Sequence, residues 1–140
     1  MDKYESLKLK NQLCFPLYAA AKEVVKKYTP FLQPLGITYT QYIALMVLWE
    51  KDDISVKELG EKVFLDSGTL TPLLKGLERK GYLIKVRDGK DERVVKIRLT
   101  ELGNSLKGSA VEIPEKVAGC LNLSMEEGSV LYTLLYKILS

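Results

Sequence analysis

A cysteine and a tyrosine stand four residues apart near the start of the chain, in the segment NQLCFPLY. On a helix, Tyr18 lies on the same face as Cys14, one turn away. A phenol hydroxyl that donates a hydrogen bond to sulfur favours the thiolate over the thiol. A thiolate attacks the O–O bond of a peroxide and becomes a sulfenic acid. This pair therefore suits a peroxide-oxidised thiol, although a free cysteine on an apolar helix is also typical of a buried core.

The rest of the composition excludes several kinds of chemistry. There is no histidine, the usual general base and the commonest metal ligand, and the only other cysteine is Cys120. Two distant cysteines do not form a zinc site. We therefore expect no enzyme, no metal and no cofactor. The charged N-terminus is not of the signal-peptide type and no apolar run approaches a membrane span, so we expect a cytoplasmic protein with reduced thiols and no membrane partner.

The positive charge is concentrated in one stretch. The net charge is +3, yet residues 75–98 alone contain nine Lys or Arg and four Asp or Glu. A cluster of this kind indicates an anion-binding surface, or else an ordinary solvated patch.

Six helices are predicted from capping signals and apolar periodicity. Their expected spans are residues 4–28, 38–49, 55–63, 67–80, 100–121 and 124–139. Thr38, Ser55 and Ser124 each have the spacing of a capping box; Asp66 or Ser67, and Thr100, are further candidate caps. The expected inner face of the second helix consists of Tyr42, Leu45, Met46 and Trp49.

Three prolines test these spans. We expect Pro30 to end the first helix. Pro16 either kinks that helix or lies harmlessly in the first turn of a helix that begins near Phe15. Pro72 is tolerable if its helix begins near Gly68 or Thr69, because its missing N–H then falls in the unpaired first turn.

Period-two alternation predicts two strands, at residues 82–87 and 93–99. Between them lies the polar turn DGKD, whose Gly89 suits a positive φ. Gly81 stands where the preceding helix would stop. Two short helices followed by a basic two-stranded ribbon predict a mainly α fold with a small β-wing, the winged helix-turn-helix.

The helix over residues 67–80 has the composition of a helix that reads DNA. Small and hydrogen-bonding residues crowd its first turns, its leucines (Leu70, Leu73, Leu74 and Leu77) face inward, and cations follow on the outer side. Ordinary capping explains part of this pattern. The predicted contacts from this segment are Asp66, Ser67, Gly68, Thr69, Thr71, Lys75 and Arg79, and those from the wing are Arg87, Lys90, Asp91 and Arg93.

The sequence DERVVKIRLT at residues 91–100, followed by ELG, resembles the wing signature of MarR-family regulators. The resemblance implies that Asp91 buttresses Arg93, which reaches the minor groove, and that the first and last helices form an obligate homodimer. Residues suited to that interface are Val130, Leu131, Leu134, Leu135, Ile138 and Leu139. We expect a single compact domain with an N-terminal dimerisation and sensor segment (1–37), a winged helix-turn-helix (38–100) and C-terminal dimerisation helices (101–140).

The segments NQLCFPLY, ITYTQY and FLDSGTLTPLLK, together with Tyr28, resemble the OhrR subgroup of that family. The resemblance implies that organic hydroperoxides oxidise Cys14, and that Tyr18, Tyr28 and Tyr39 hydrogen-bond the thiolate or rearrange on oxidation. Tyr28 lies about 21 Å along a helix from Cys14, so it can approach only a Cys14 of a second subunit. Cys120 either resolves the sulfenic acid as an intersubunit disulfide or belongs to the core.

The resulting expectation is a homodimeric repressor that binds double-stranded DNA at a pseudo-palindromic operator. Organic hydroperoxide would be its signal, and oxidation of Cys14 would release the DNA. Three alternatives stay open: a regulator gated by a small aromatic ligand, a thiol peroxidase, and a winged-helix module that binds proteins. Affinity for DNA that falls steeply with salt would indicate a DNA-binding regulator, controlled either by oxidation or by a ligand. It would argue against the thiol peroxidase and the protein-binding module.

Overall fold

The computed structural model describes residues 2–140 of the chain. Its helices are α1 Cys14–Leu32, α2 Tyr39–Glu50, α3 Val56–Val63, α4 Ser67–Arg79, α5 Glu101–Ala110, α6 Ile113–Ala118 and α7 Met125–Leu139; its strands are β1 Ile54–Ser55, β2 Leu83–Arg87 and β3 Val95–Leu99. Short 3₁₀ turns span Glu5–Leu7, Leu9–Asn11 and Gln33–Leu35. The expected mainly α fold with a small wing is confirmed.

Side-chain caps begin five of these helices where the sequence predicts them. The caps are Thr38, Ser55, Asp66, Thr100 and Ser124, and each accepts a hydrogen bond from the backbone N–H three residues later. Between the two candidates for α4, Asp66 is the cap. These contacts satisfy N–H groups that the first turn of a helix leaves unpaired.

The prediction that the first helix starts at Tyr4 is wrong, because α1 begins at Cys14. A helix extending further back would bring the Pro16 ring against the carbonyl of Gln12. The side chains of Asn11 and Gln12 instead donate to backbone carbonyls of residues 5, 6 and 8, at 2.7–2.9 Å. Pro16 is therefore the third residue of α1 and lies in the unpaired first turn. Of the two alternatives, the one in which the helix begins near Phe15 is confirmed.

Two predicted helix ends are also wrong. Pro30 lies inside α1, which continues to Leu32; the bond it removes is the one to the Lys26 carbonyl, and because Lys26 is exposed, water can replace that bond. The predicted helix over residues 100–121 is divided into α5 and α6 by a turn at Val111–Glu112. Pro114 is the second residue of α6, a position that suits proline. It is the sequence feature that could have predicted the start of a separate helix here.

The three strands form one antiparallel sheet in the order β1-β3-β2. In the wing ribbon, Leu83 pairs with Leu99 and Arg87 with Val95. The sequence did not predict β1, whose Ile54 pairs with Ile97. Gly81 has the left-handed φ of 80° that turns the chain from α4 into the ribbon, whereas Gly89 has no positive φ, contrary to expectation.

The core lies between α1, α2, α4 and the sheet. The four predicted leucines of α4 are buried, together with Leu45, Leu48, Leu59 and Ile97. Tyr42 is also buried, but Met46, predicted on the same inner face, is exposed. Apolar residues run almost all round α2, so periodicity alone does not identify its buried side. The Trp49 indole N–H donates to the Gly103 carbonyl at 3.0 Å and ties α2 to α5.

Helix α7 differs from the others because none of its fifteen residues is buried. Within residues 2–140, no single helix is both long and apolar enough to cross a membrane; α1 with its following turn and α2 meet those criteria only as a pair, bent by 72°.

Candidate functional site

The outer face of α4 carries a row of polar side chains. Ser67, Thr71, Lys75 and Arg79 follow one another at intervals of four residues and are all exposed. This spacing places them along one ridge of the helix, opposite the buried leucines. The leucines therefore fix the orientation of the helix, and the ridge is left free to meet a ligand along its full length.

The first turn of α4 is organised by its own side chains. The Asp66 carboxylate accepts from the Thr69 N–H at 2.8 Å, and the Thr71 hydroxyl donates to the Ser67 carbonyl at 2.8 Å. Pro72 is the sixth residue of the helix, so the expectation that its missing N–H falls in the unpaired first turn is wrong. The group that loses its partner is the Gly68 carbonyl, and because Gly68 is exposed, water can replace that bond.

Close packing of α3 on α4 sets the position of the ridge. A Cβ on Gly60 would lie 2.8 Å from the Leu70 side chain and 2.9 Å from the Leu65 carbonyl. Only glycine fits at this approach. Phe64, which ends α3, has a left-handed φ of 57° and turns the chain sharply into α4. These two features produce the helix-turn-helix.

At the tip of the wing, the carboxylate of Asp91 holds Arg93 through hydrogen bonds. The Asp91 carboxylate accepts from the Arg93 Nε–H at 3.1 Å, from Nη2 at 3.2 Å and from the Arg93 backbone N–H at 3.0 Å. These bonds from the Arg93 side chain, and then from its backbone, hold the pKa of Asp91 below its usual value. The Arg93 side chain is 91% exposed. The pair presents an oriented guanidinium to solvent.

The remaining wing-tip residues are tied to the turn backbone. Arg87 donates to the Glu92 carbonyl at 2.7 Å, and the Asp88 carboxylate accepts from the Lys90 N–H at 2.9 Å. These contacts give the turn an ordered shape, and the turn with its flanking residues carries three cations, Arg87, Lys90 and Arg93.

Two cations of the basic stretch make contacts within the protein instead. Lys80 donates to the Gly36 carbonyl and to Gln41. Arg98 pairs with Asp53 at 2.9 Å, which lowers the pKa of Asp53 and raises that of Arg98. The neighbouring Asp52 accepts from the Leu99 N–H at 2.9 Å, so Asp52 and Asp53 together hold the end of β3, at the base of the wing. Sequence reasoning missed Gln41, Asp52 and Asp53 because their partners are distant in the chain.

The thiol of Cys14 is exposed at the first residue of α1, so the alternative of a buried core cysteine is wrong. Tyr18 is also exposed, with the Lys22 ammonium 5.3 Å from its ring centroid. Within residues 2–140, no hydrogen bond joins Cys14 to Tyr18, Tyr28 or Tyr39. The structure places Cys14 and Tyr18 at one end of α1 and the other two tyrosines at its far end.

Tyr28 and Tyr39 belong to an aromatic cluster between α1 and α2. Their ring centroids are 4.8 Å apart, and Tyr42 lies 5.7 Å from Tyr28 and 6.3 Å from Tyr39. Burial raises the pKa of all three phenols, so they remain protonated donors at neutral pH. A single chain therefore brings Tyr28 and Tyr39 together but does not bring them to its own Cys14.

Cys120 follows α6 and is exposed, which contradicts the alternative that it is a core residue. Its thiol donates to the Lys116 carbonyl at 3.3 Å. The side chain is accessible to another thiol or to solvent.

Comparisons with known proteins agree with this geometry. Residues 26–109 match the family described as transcriptional regulator SarA/Rot. The organic hydroperoxide resistance transcriptional regulator of Bacillus subtilis is 48% identical over 138 residues, 99% of this chain and 94% of that protein. The transcriptional regulator SarZ of Staphylococcus aureus is 49% identical over 125 residues, 89% and 84% of the two chains.

A solved structure of a Staphylococcus epidermidis protein, reduced AbfR bound to DNA, superimposes with a TM-score of 0.80 at 34% identity. The match covers 98% of this chain and 95% of that one. The Bacillus subtilis and Staphylococcus aureus relatives are transcriptional regulators and not enzymes, as the sequence led us to expect. The chain belongs to the MarR family of winged-helix transcriptional regulators, in its OhrR-type subgroup.

Proposed function

We propose that this regulator binds duplex DNA with α4 in the major groove and the wing tip in the adjacent minor groove. The observation that carries the proposal is the pair of hydrogen bonds by which the Asp91 carboxylate holds the exposed guanidinium of Arg93. A narrow minor groove attracts arginine, and an arginine held in place loses less rotational freedom on binding. The exposed ridge from Ser67 to Arg79 supplies hydroxyls and cations for base edges and phosphates.

The DNA-binding form is a homodimer in this proposal, and α7 supplies the support. Exposed apolar side chains line α7, and no residue of the helix is buried by its own chain. Chains that stay monomeric rarely expose such a surface. A second copy would cover it and would place two α4 helices about one DNA turn, roughly 34 Å, apart, which matches a pseudo-palindromic operator.

Oxidation of Cys14 is the proposed signal for release. The thiolate attacks one oxygen of an organic hydroperoxide, the O–O bond breaks, and the departing alkoxide takes up a proton to become an alcohol. Sulfur is thereby oxidised by two electrons to sulfenic acid and the hydroperoxide is reduced. Cys14 is exposed in the single chain, and a reducing cytoplasm would keep its thiol available for oxidation. Tyr28 and Tyr39 would approach from the second subunit, and Cys120 could then resolve the sulfenic acid.

The test is the affinity for the promoter DNA of its own operon, measured by fluorescence anisotropy before and after treatment with cumene hydroperoxide. Wild type should bind when reduced and lose affinity when oxidised, whereas Cys14→Ser should bind under both conditions. Cys120→Ser, the matched control, should release DNA but form no disulfide-linked dimer. Equal release by Cys14→Ser would refute Cys14 as the sensor, and no duplex binding at low salt would refute the function itself.

A cavity gives some support to a second candidate, gating by a small aromatic ligand. It has a volume of about 440 Å³ and lies between α1, the Gln33–Leu35 turn and α2, with Tyr39 and Lys80 in its wall. That volume suits a small aromatic acid, and the lysine suits its carboxylate. If benzoate released DNA from wild type and from Cys14→Ser at concentrations below those needed for general salt effects, while cumene hydroperoxide released neither, this alternative would replace oxidation as the signal.

A further inference from the structure

Gln41 is the one buried polar or charged residue among residues 2–140, with 7% of its surface exposed. It lies in the first turn of α2, two residues after Tyr39 of the aromatic cluster. Buried polar groups are expensive unless every hydrogen-bonding atom has a partner. The partners of Gln41 therefore show which parts of the molecule it holds together.

One set of partners lies within the α2 cap. The side-chain oxygen of Gln41 accepts from the Thr38 N–H at 3.1 Å, and its backbone N–H donates to the Thr38 hydroxyl at 3.2 Å. This reciprocal pair fixes the first turn of α2. Since Tyr39 is part of the same turn, a displacement of Tyr39 moves Gln41 with it.

The other set lies on α4. The same oxygen of Gln41 accepts from the Lys80 ammonium at 3.1 Å, and the Gln41 amide donates to the Leu73 carbonyl at 3.5 Å. Between these contacts, Gly76 lies so close that a Cβ there would be 2.5 Å from the Gln41 nitrogen. Leu73 and Gly76 of α4 and its C-cap, Lys80, are three and four residues apart along one stripe, and this stripe rests on Gln41.

Residues 35–38 form the corner before α2, and this corner is bound to the C-terminal end of α4. Lys80 also donates to the Gly36 carbonyl, and the Tyr82 hydroxyl donates to the Leu35 carbonyl at 3.1 Å. Tyr82 immediately precedes β2. The corner that carries Tyr39 is thus joined both to the reading helix and to the root of the wing.

We propose that Gln41 and Lys80 are positioning residues that couple the redox state of Cys14 to the placement of α4. The proposal rests on the proposed function. A shift of the Tyr28–Tyr39 contact displaces the first turn of α2, and Gln41 cannot stay behind without leaving buried polar atoms unpaired. Lys80 and the α4 stripe then follow, so the two reading helices of a dimer no longer match the spacing of their half-sites.

The experiment compares Lys80→Met and Gln41→Met with wild type in the full-length protein. The measured quantity is the coupling ratio, the operator Kd of oxidised protein divided by that of reduced protein. Couplings between sites commonly correspond to about 5–150-fold changes in affinity. We expect each variant to lower the wild-type ratio about tenfold, and the double variant to lower it no further, because both residues belong to the same set of contacts between the start of α2 and the end of α4.

Three readouts separate coupling from mere structural support. Trapping with dimedone and mass spectrometry should find Cys14 sulfenic acid at wild-type levels in both variants. Gln33→Met, in the exposed turn before the corner, and Lys137→Met, on α7, make the same two replacements elsewhere and should retain the wild-type ratio. Lys80→Met should also keep the wild-type salt dependence of binding, because Lys80 contacts the protein and not phosphate.

A wild-type ratio in Lys80→Met overturns the proposal, whatever the absolute affinities, and that variant decides the matter if Gln41→Met does not fold. If wild type releases its operator on oxidation and the variants release it equally, only the coupling fails. If wild type itself keeps its operator after Cys14 is oxidised, the proposed function fails, and the coupling fails with it.

Discussion

Tyr28, in the last third of α1, lies against Tyr39, in the first turn of α2, with ring centroids 4.8 Å apart at an angle of 51°. Such tilted pairs contribute beyond their apolar burial. The contact joins the end of the sensor helix that is distant from Cys14 to the corner that leads to α4. Its rings and its hydroxyls are expected to have separate roles, and substitutions can distinguish them.

Tyr28→Phe keeps the ring and should change the free energy of unfolding by less than about 1 kcal/mol. Tyr28→Ala removes a half-buried ring and should cost about 2 kcal/mol, measured by urea denaturation. Tyr28→Phe should nevertheless slow oxidation of Cys14 by hydroperoxide about tenfold, since a hydrogen bond to a charged group contributes about 1.5–3 kcal/mol. Tyr42→Phe, in the same cluster, should oxidise at the wild-type rate. A wild-type rate for Tyr28→Phe would remove Tyr28 from the sensor.

Arg93→Ala should weaken operator binding about tenfold and reduce the slope of log affinity against log salt by about one. Asp91→Ala should have a smaller effect, because the guanidinium remains but is no longer held by its carboxylate. Lys137→Ala removes one positive charge far along α7 and serves as the control for net charge. If Arg93→Ala changed affinity no more than Lys137→Ala, the wing tip would not contact DNA.

The two aspartate–arginine pairs predict a specific response to pH. Hydrogen bonds from Arg93 lower the pKa of Asp91, and those from Arg98 lower the pKa of Asp53. Each pair is therefore fully formed above the ordinary aspartate value of about 3.9 and is lost as the pH falls through the lower folded-state pKa. Carboxyl ¹³C NMR should find both aspartates titrating below that ordinary value.

Reciprocal variants provide the control. Arg93→Ala should raise the pKa of Asp91 towards the ordinary range, although the backbone N–H of residue 93 still donates to it, and should leave the pKa of Asp53 low; Arg98→Ala should raise the pKa of Asp53 and leave that of Asp91 low. Ordinary titration of Asp91 in the wild type would contradict the wing-tip geometry.

The start of α4 allows capping to be separated from DNA contact. Asp66→Ala removes the acceptor for the Thr69 N–H and should cost about 1 kcal/mol, whereas Asp66→Asn should retain most of that stability. Ser67→Ala should change stability by no more than about 0.5 kcal/mol, because its side chain is exposed. Thermal denaturation measures both. Ser67→Ala should still weaken operator binding severalfold, and unchanged affinity would mean that this hydroxyl does not reach the DNA.

Features decided within a few residues were predictable from the sequence. A cap and its acceptor N–H are three residues apart, so Thr38, Ser55 and Ser124 reveal their helices directly. The leucines of α4 follow from helical periodicity, and Gly81 from the left-handed turn after the helix. The start of α1 was also signalled, by Pro16, but its two alternatives could not be separated without knowing where residues 5–12 lie.

Features that depend on distant partners were not predictable. Strand β1 exists because Ile54 lies opposite Ile97, and two residues carry no periodicity. Lys80 and Arg98 belong to the nine cations of residues 75–98 that indicate an anion-binding surface, yet one contacts Gln41 and the other Asp53. Charge in a sequence shows how many cations a region has, but only tertiary contacts show which of them face outward.

Helix α7 gives the sharpest test of the dimer. Leu134→Arg places a charge among its exposed apolar residues and should raise the dimer dissociation constant at least about 100-fold, because an unpaired charge would be buried in the interface. Analytical ultracentrifugation measures the change. Thr133→Arg adds the same charge to the polar strip that also contains Ser129 and Lys137, and it should leave the dimer intact. Equal weakening by the two variants would indicate a nonspecific charge effect, and an intact Leu134→Arg dimer would mean that α7 does not form the interface.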